Sequence, residues 1–270
     1  MNEKIVELID RKFVENYERK GQKTYIKAIV TGHIIEVYEY EKMPVLPSRK
    51  KKIKEDSEDL PFDFELSEEQ KKDSNRYNNM VKARNNLRRL INANFDNTSK
   101  FITLTFADGS ISDVTDIDQA DAEFKKFIQR MRYAYGNFKY ITVVEFQDKN
   151  GRGAVHYHMI SDLPFISNDK LREIWRNGFV KINKVSHVDN VGAYMVKYMI
   201  KDLHDERLRG RKSYRTSRGN LERPQEFTGD IVREIKNIYD LDNKKTVFSN
   251  SYKNEHLGLT TYKEYNLKRL

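Results

Sequence analysis

The chain has 270 residues, no cysteine, and 50 basic against 41 acidic side chains, a net charge of +9. The missing cysteine excludes disulfides, thiolate metal sites and a Cys nucleophile. With 16 Tyr and 14 Phe it is too aromatic for a disordered chain in which 34% of residues are charged. The length is enough for one large core or two small ones, and no run of about 18 apolar residues is present to span a membrane. A basic, Tyr-rich chain points to a polyanion as partner, nucleic acid first. Met1-Asn2-Glu3-Lys4 leads into charged sequence, so no secretory signal and a cytoplasmic location are expected.

Taken in chain order, Ile5, Leu8, Ile9, Phe13 and Tyr17 have helical spacing and predict a short helix over 1–20. Residues 25–40 read as two strands folded at Thr31-Gly32. Basic Arg49-Lys50-Lys51-Lys52 then gives way to an acidic stretch with interspersed prolines, and 43–66 is expected to be a linker or long loop. Ser67-Glu68-Glu69-Gln70 fits a capping box opening a helix through Met80, Leu87 and Ile91. Its Lys82, Arg84, Arg88 and Arg89 are expected on a solvated face.

From Phe101 the pattern is regular. Strands are predicted at 101–106, 140–146, 155–160 and 179–185, with helices at 118–135, 169–176 and 191–203. Asn150-Gly151 suits a two-residue hairpin turn. The order βαββαβ, followed by one more helix, predicts the α+β class: an antiparallel sheet with helices packed on one face. Trp175 is expected in the core. Three regions follow: 1–94 with the helix, hairpin, charged linker and basic helix; 95–205 as the βαββαβ core; and 206–270 as a basic C-terminal extension. Arg152 in the hairpin loop, and Arg207, Arg209, Arg211, Lys212, Arg215 and Arg218 in the last region, are candidates for contacting a nucleic-acid backbone.

His156-Tyr157-His158 is the sharpest local feature. On a strand the two imidazoles share a face, with Tyr157 opposite. A hairpin centred on Asn150-Gly151 pairs Glu145 with His156, on that same face. The result is a His, His, carboxylate set suited to Mn²⁺ or Mg²⁺ held with a phosphate, and also able to take Zn²⁺. The second feature is Tyr194-Met-Val-Lys197-Tyr198-Met-Ile-Lys201. Tyr194 and Tyr198 share one helix face, and Lys197 and Lys201 a neighbouring one. A phenol, which ionises near pH 10 in water, attacks a phosphodiester when a cation stabilises the charge that develops.

These three motifs, Phe101-Ile-Thr-Leu-Thr-Phe106, His156-Tyr157-His158 and Tyr194-x-x-Lys197-Tyr198-x-x-Lys201, stand in the order found in HUH endonucleases. The chain resembles the rolling-circle replication initiators of plasmids and single-stranded-DNA phages, most strongly over 95–205. The resemblance implies an RRM-like sheet, with a divalent metal on His156, His158 and Glu145. Tyr194 or Tyr198 is then the nucleophile that nicks origin DNA, leaving a 5′-phosphotyrosine and a free 3′-hydroxyl primer and later rejoining the strand. Lys197 or Lys201 neutralises charge at the phosphate. Tyr194, which heads the repeated Tyr-x-x-Lys unit, is taken as the initiating nucleophile. Single-stranded DNA or an origin hairpin is the implied substrate. The resemblance also implies a host DNA polymerase that extends the primer; as no G-x-x-x-x-G-K-[ST] is present, a host helicase is expected to separate the strands unless the substrate is already a single-stranded hairpin. Three other readings stay open: a transposase of the same chemistry, a zinc hydrolase, and a non-catalytic DNA- or RNA-binding sheet module with Phe101 and Phe106 as stacking residues.

Overall fold

The computed structural model describes residues 26–42, 74–148, 151–201, 205–208, 211–212, 214–244, 246–254 and 257–269, with the side chains of 74–78, 198–201 and 254 left out. The expected helix over 1–20, the linker over 43–66 and the capping box at 67–70 lie outside these residues. The chain divides into two compact units. One is continuous, Lys82–Glu222. The other joins the chain up to Val81 with the chain from Arg223 onward.

The discontinuous unit is built on the hairpin expected at 25–40. Its strands are β1 (Ile26–Thr31) and β2 (Ile34–Tyr40), paired from Ile26–Glu39 to Thr31–Ile34. The sheet is completed from far along the chain. Helix α1 (Ser74–Asn94), strands β3 to β7 and helices α2 to α4, described below, come first. Then β8 (Gln225–Thr228) pairs with β1, β10 (Gly258–Asn266) pairs with β2, and β9 (Phe248–Asn254) pairs with β10. Helix α5 (Asp230–Ile238) places Val232 and Ile235 against Ala28, Val30, Ile35 and Val37. The stretch expected as a basic extension therefore holds strands and a helix of this sheet.

The continuous unit contains a five-stranded antiparallel sheet in the order β6-β3-β5-β4-β7. Its strands are β3 (Lys100–Thr105), β4 (Tyr140–Gln147), β5 (Ala154–Ser161), β6 (Val180–Lys184) and β7 (Tyr214–Thr216). The helices are α2 (Ile117–Tyr135), α3 (Asn168–Trp175) and α4 (Val191–Lys201), together with most of α1. The α+β class is as the sequence predicts, and the elements fall within a residue or two of the expected spans. Asp116 caps α2 by accepting from the backbone N–H groups of Asp118 and Gln119, and Ser167 caps α3.

Helix placement differs from the expectation of one covered face. Phe124, Phe127, Ile128 and Met131 of α2, and Leu171, Ile174 and Trp175 of α3, pack on Leu104, Phe106, Val144, Phe146 and Tyr157. Leu87 and Ile91 of α1, with Val191, Met195 and Val196 of α4, pack on Phe101, Ile141, Val143 and Ile160. These two sets of strand residues have opposite parity, so they lie on opposite faces. Because the central strands are apolar on both faces, each face needs its own cover. Arg84, Arg88 and Arg89 of α1 are buried rather than on a solvated face. Trp175 is in the core, as expected, and donates Nε1–H to the Thr105 carbonyl at 2.8 Å.

The β4–β5 connection also differs in detail. The ladder stops at Gln147–Ala154, and the link is residues 148–153 rather than a two-residue turn. Arg152 turns away to donate to the Phe106 carbonyl and to Asp108, and Asp148 is held by Arg207. The wider loop leaves the register unchanged: Glu145 stands opposite His156, as the sequence predicts.

Candidate active site

The face of the sheet beneath α1 and α4 carries the chemistry-bearing residues. Glu145 of β4, His156 and His158 of β5, and Thr103 and Thr105 of β3 all have the parity of Phe101, Ile141 and Ile160. In one row Glu145 faces His156 and His156 faces Thr105. In the next, Val143 faces His158 and His158 faces Thr103.

His158 is buried and Glu145 nearly so. Glu145 reaches diagonally across the ladder, so that its Oε2 meets Nε2 of His158 rather than of the directly opposed His156. Thr103 Oγ1 lies 3.2 Å from His158 Nδ1. That bond fixes the ring and leaves Nε2 as the nitrogen aimed at the carboxylate, the arrangement that orients a metal-ligating imidazole. An imidazole nitrogen and a carboxylate oxygen thus meet directly; both are donor types used by divalent-cation sites. Among the described residues, however, no group of three or more His, Asp or Glu side chains closes into a metal-binding cluster.

Helix α4 delivers Tyr194 to the same face. The Phe101 ring stacks on His158, centroids 5.7 Å apart, and meets Tyr194 edge-on at 5.5 Å. The imidazole and the phenol therefore share contact with one buried ring. Lys197, exposed, has its Nζ 5.9 Å from the Tyr194 ring centroid. Tyr198 and Lys201 lie on the last turns of α4, and their side chains are outside the described residues.

The start of α4 is bolted to α1. Asn190 Oδ1 accepts from Ala193 N–H at 2.9 Å, an N-cap, and from Asn92 Nδ2 at 3.0 Å. Asn92 Oδ1 in turn accepts from Gly192 N–H at 2.7 Å. A Cβ on Gly192 would stand 2.3 Å from the Arg88 carbonyl oxygen, so only glycine permits this approach. Thr103, Asn92, Asn190 and Gly192 are positioning residues that the sequence reading did not single out. The signal available was Asn190 two residues before a glycine at the start of a predicted helix.

Several arginines of the arginine-rich segment have carboxylate partners within the protein. Arg207 pairs with Asp205 and Asp148 and lies over the Phe146 ring, 3.7 Å from its centroid. Arg211 pairs with Asp118, and Arg215 with Asp121, which also accepts from the Tyr157 hydroxyl at 2.5 Å. Asp118 and Asp121 belong to α2, and Phe146 and Tyr157 face α2. These guanidiniums therefore fasten the segment on the side of the sheet away from His156 and His158. Hydrogen bonds from Arg211 and Arg207 hold Asp118 and Asp205, respectively, below the usual aspartate range. Burial first, and the neighbouring Asp121 charge second, push the Tyr157 phenol upward. Lys212 and Arg218 are exposed, and Arg209 lies outside the described residues. Arg152 is tied to Asp108 and the Phe106 carbonyl.

Every candidate metal-site and α4 residue falls within one stretch of chain. Residues 99–203 match the family model of the ORF2-type replication-associated proteins. The match runs from just before β3 to just past α4, which takes in four of the sheet's five strands, the histidine strand among them, and the tyrosine helix, and it is consistent with a replication initiator. Comparison with the curated proteins and with the solved structures gives no match. Among the described residues no helix is long and apolar enough to cross a membrane.

Proposed function

We propose that this protein is a replication initiator of the HUH type, which nicks single-stranded origin DNA by attack of a tyrosine on a phosphodiester. The observation that carries the reading is the meeting of two motifs, far apart in sequence, on one sheet face. His158, with Glu145 at its Nε2, and Tyr194 both contact the Phe101 ring. The family match over the same residues supports a role in DNA replication.

In this reading His158, Glu145 and His156 hold Mn²⁺ or Mg²⁺. Such a cation, when bound, supplies Lewis-acid stabilisation of a non-bridging phosphate oxygen. Thr103 keeps the His158 ring oriented, and the Phe101 ring sets the spacing between the imidazole and the phenol. The Tyr194 hydroxyl gives up its proton as its oxygen bonds to phosphorus. The bond to the 3′-oxygen breaks, and that oxygen leaves as a protonated 3′-hydroxyl. Tyr194 then carries the 5′-phosphate. One phosphodiester has been exchanged for another, so the reverse reaction rejoins the strand without ATP. Lys197 contributes positive charge beside the phenol. Tyr198, one turn further on, serves a second cleavage, and the free 3′-hydroxyl primes synthesis by a host polymerase after a host helicase opens the duplex.

The test is incubation of the full chain with single-stranded oligonucleotides carrying the candidate origin, in Mn²⁺ or in EDTA, resolved on a denaturing gel. A covalent protein–DNA species is expected in Mn²⁺ only. Tyr194→Phe should abolish it, as should His158→Ala and Glu145→Gln. Binding with no covalent species under any metal would leave a non-catalytic sheet module. The stacking residues that module was assigned, Phe101 and Phe106, are both buried in the protein.

A further inference from the structure

Helices α1 and α4 cover the part of the site face that holds Phe101, Ile141, Val143 and Ile160. The rows through Glu145, His156 and Thr105 carry on to the edge of the sheet. Thr105 N–H donates to the Phe179 carbonyl at 3.0 Å, and Ala107 N–H to the Asn177 carbonyl at 2.7 Å, which extends the β3–β6 register past Val180. Phe179 therefore lies opposite Thr105, in the row of His156 and Glu145. Lys181 lies opposite Thr103, in the row of His158. Val180 between them packs into the core on the α2 face, so Phe179 and Lys181 project on the site face. Gly178 presses the lead-in to β6 against β3: an added Cβ would stand 2.5 Å from the Thr105 carbonyl oxygen. The backbone leading into Phe179 is thus held close to β3, and Phe179 itself is 57% exposed. Lys181 beside it is also exposed.

We propose that Phe179 and Lys181 form a nucleotide subsite for single-stranded DNA at the open edge of the site face. The Phe179 ring stacks on an unpaired base, and the Lys181 ammonium pairs with a phosphate. The subsite rests on the reading of this face as the one that cuts single-stranded DNA, and it adds where the strand runs. Two strand spacings separate Phe179 from His156, about 10 Å, within reach of a nucleotide or two from the reacting phosphate. A single strand is the occupant because base–aromatic stacking needs an unstacked base, and a lone aromatic beside a lysine suits a polyanion with π-faces.

The test separates binding from chemistry. Affinity of the full chain for a fluorescent oligothymidylate is measured in EDTA over a series of salt concentrations. Phe179→Ala is expected to weaken binding by about ten-fold or more with the salt dependence unchanged, and Phe179→Trp to restore it. Lys181→Gln is expected to lower the slope of log affinity against log salt by about 0.7, one single-strand phosphate contact. Irradiation with a 5-iododeoxyuridine oligonucleotide should crosslink the peptide containing Phe179. Wild-type affinity in Phe179→Ala overturns the subsite, as does crosslinking confined to other peptides or failure of the wild-type chain to bind oligothymidylate. A covalent adduct in Mn²⁺ with normal Phe179→Ala binding would sink the subsite alone. The full pattern of binding effects with no adduct would sink the nicking reaction alone.

Discussion

Gly192→Ala tests how the tyrosine helix is held. The added methyl group would sit 2.3 Å from the Arg88 carbonyl oxygen and 2.7 Å from Asn92 Oδ1, where ordinary contact begins at 3.4 Å. Neither neighbour yields easily, since one is helix backbone and the other is a buried amide bonded to Asn190. Helix α4 must therefore retreat from α1 by about 1 Å in a densely packed core. Overpacking of this kind costs about 1–3 kcal/mol, and the strained Gly192–Asn92 hydrogen bond adds about 1 kcal/mol. The higher helix propensity of Ala offsets at most about 1 kcal/mol. The net expectation is destabilisation by about 2 kcal/mol, read as a lower urea midpoint at unchanged slope. Because Tyr194 rides on the same helix, a displacement near 1 Å should also slow adduct formation by about 100-fold. Asn92→Ala, which creates no clash, should lose about 1–2 kcal/mol through the missing bonds alone. An unchanged midpoint together with a wild-type adduct rate in Gly192→Ala would refute the claim that this close approach positions the phenol.

Three further outcomes follow from the packing and the charges. Phe101→Ala should cost about 3–5 kcal/mol and, by removing the ring that contacts both His158 and Tyr194, depress adduct formation even in the folded fraction. Phe101→Leu should retain most of the stability. Asp121→Asn leaves Arg215 without its charge partner. As each side chain keeps about a fifth of its surface exposed, the loss should be about 2 kcal/mol, less than for a fully buried pair, measured by urea unfolding. The pH dependence has two limbs. Tyr157 has a raised folded pKa, so its contribution is complete below the ordinary phenol value of 10.0 and is lost as pH climbs above it. Tyr157→Phe should flatten that alkaline loss. Asp205 has a lowered folded pKa, so the tie to Arg207 is complete above the ordinary 3.8 and is lost as pH falls below it, and cleavage by pepsin within 205–216 should rise only there.

Local pattern alone was enough to read the site strand by strand. Alternation over 101–106, 140–146 and 155–160 placed the strands, and the period of two put both histidines on one face. Counting outward from Asn150-Gly151 gave the Glu145–His156 register, which survives although the loop is longer than a two-residue turn. Pairing rules say which residues stand opposite. They do not say that Glu145 leans to His158, because that depends on twist and side-chain rotamer. The arginines of 205–218 read from sequence as a nucleic-acid clamp, since composition records charge and not its partner. Only the fold brings Asp118, Asp121 and Asp148 to them.

The sequence by itself determined the α+β class, the strands and helices of the continuous unit, and the shared face of the two imidazoles, because these follow from periodicities only a few residues long. Tertiary structure alone decided which helices cover which face, that α4 locks onto α1 through Gly192, and that β1 and β2 share a sheet with strands near the far end of the chain. Those pairings join residues 195 to 232 positions apart, from Val30–Gln225 to Ile34–Asn266. No local propensity encodes them; they are fixed by which apolar faces and strand edges must cover one another.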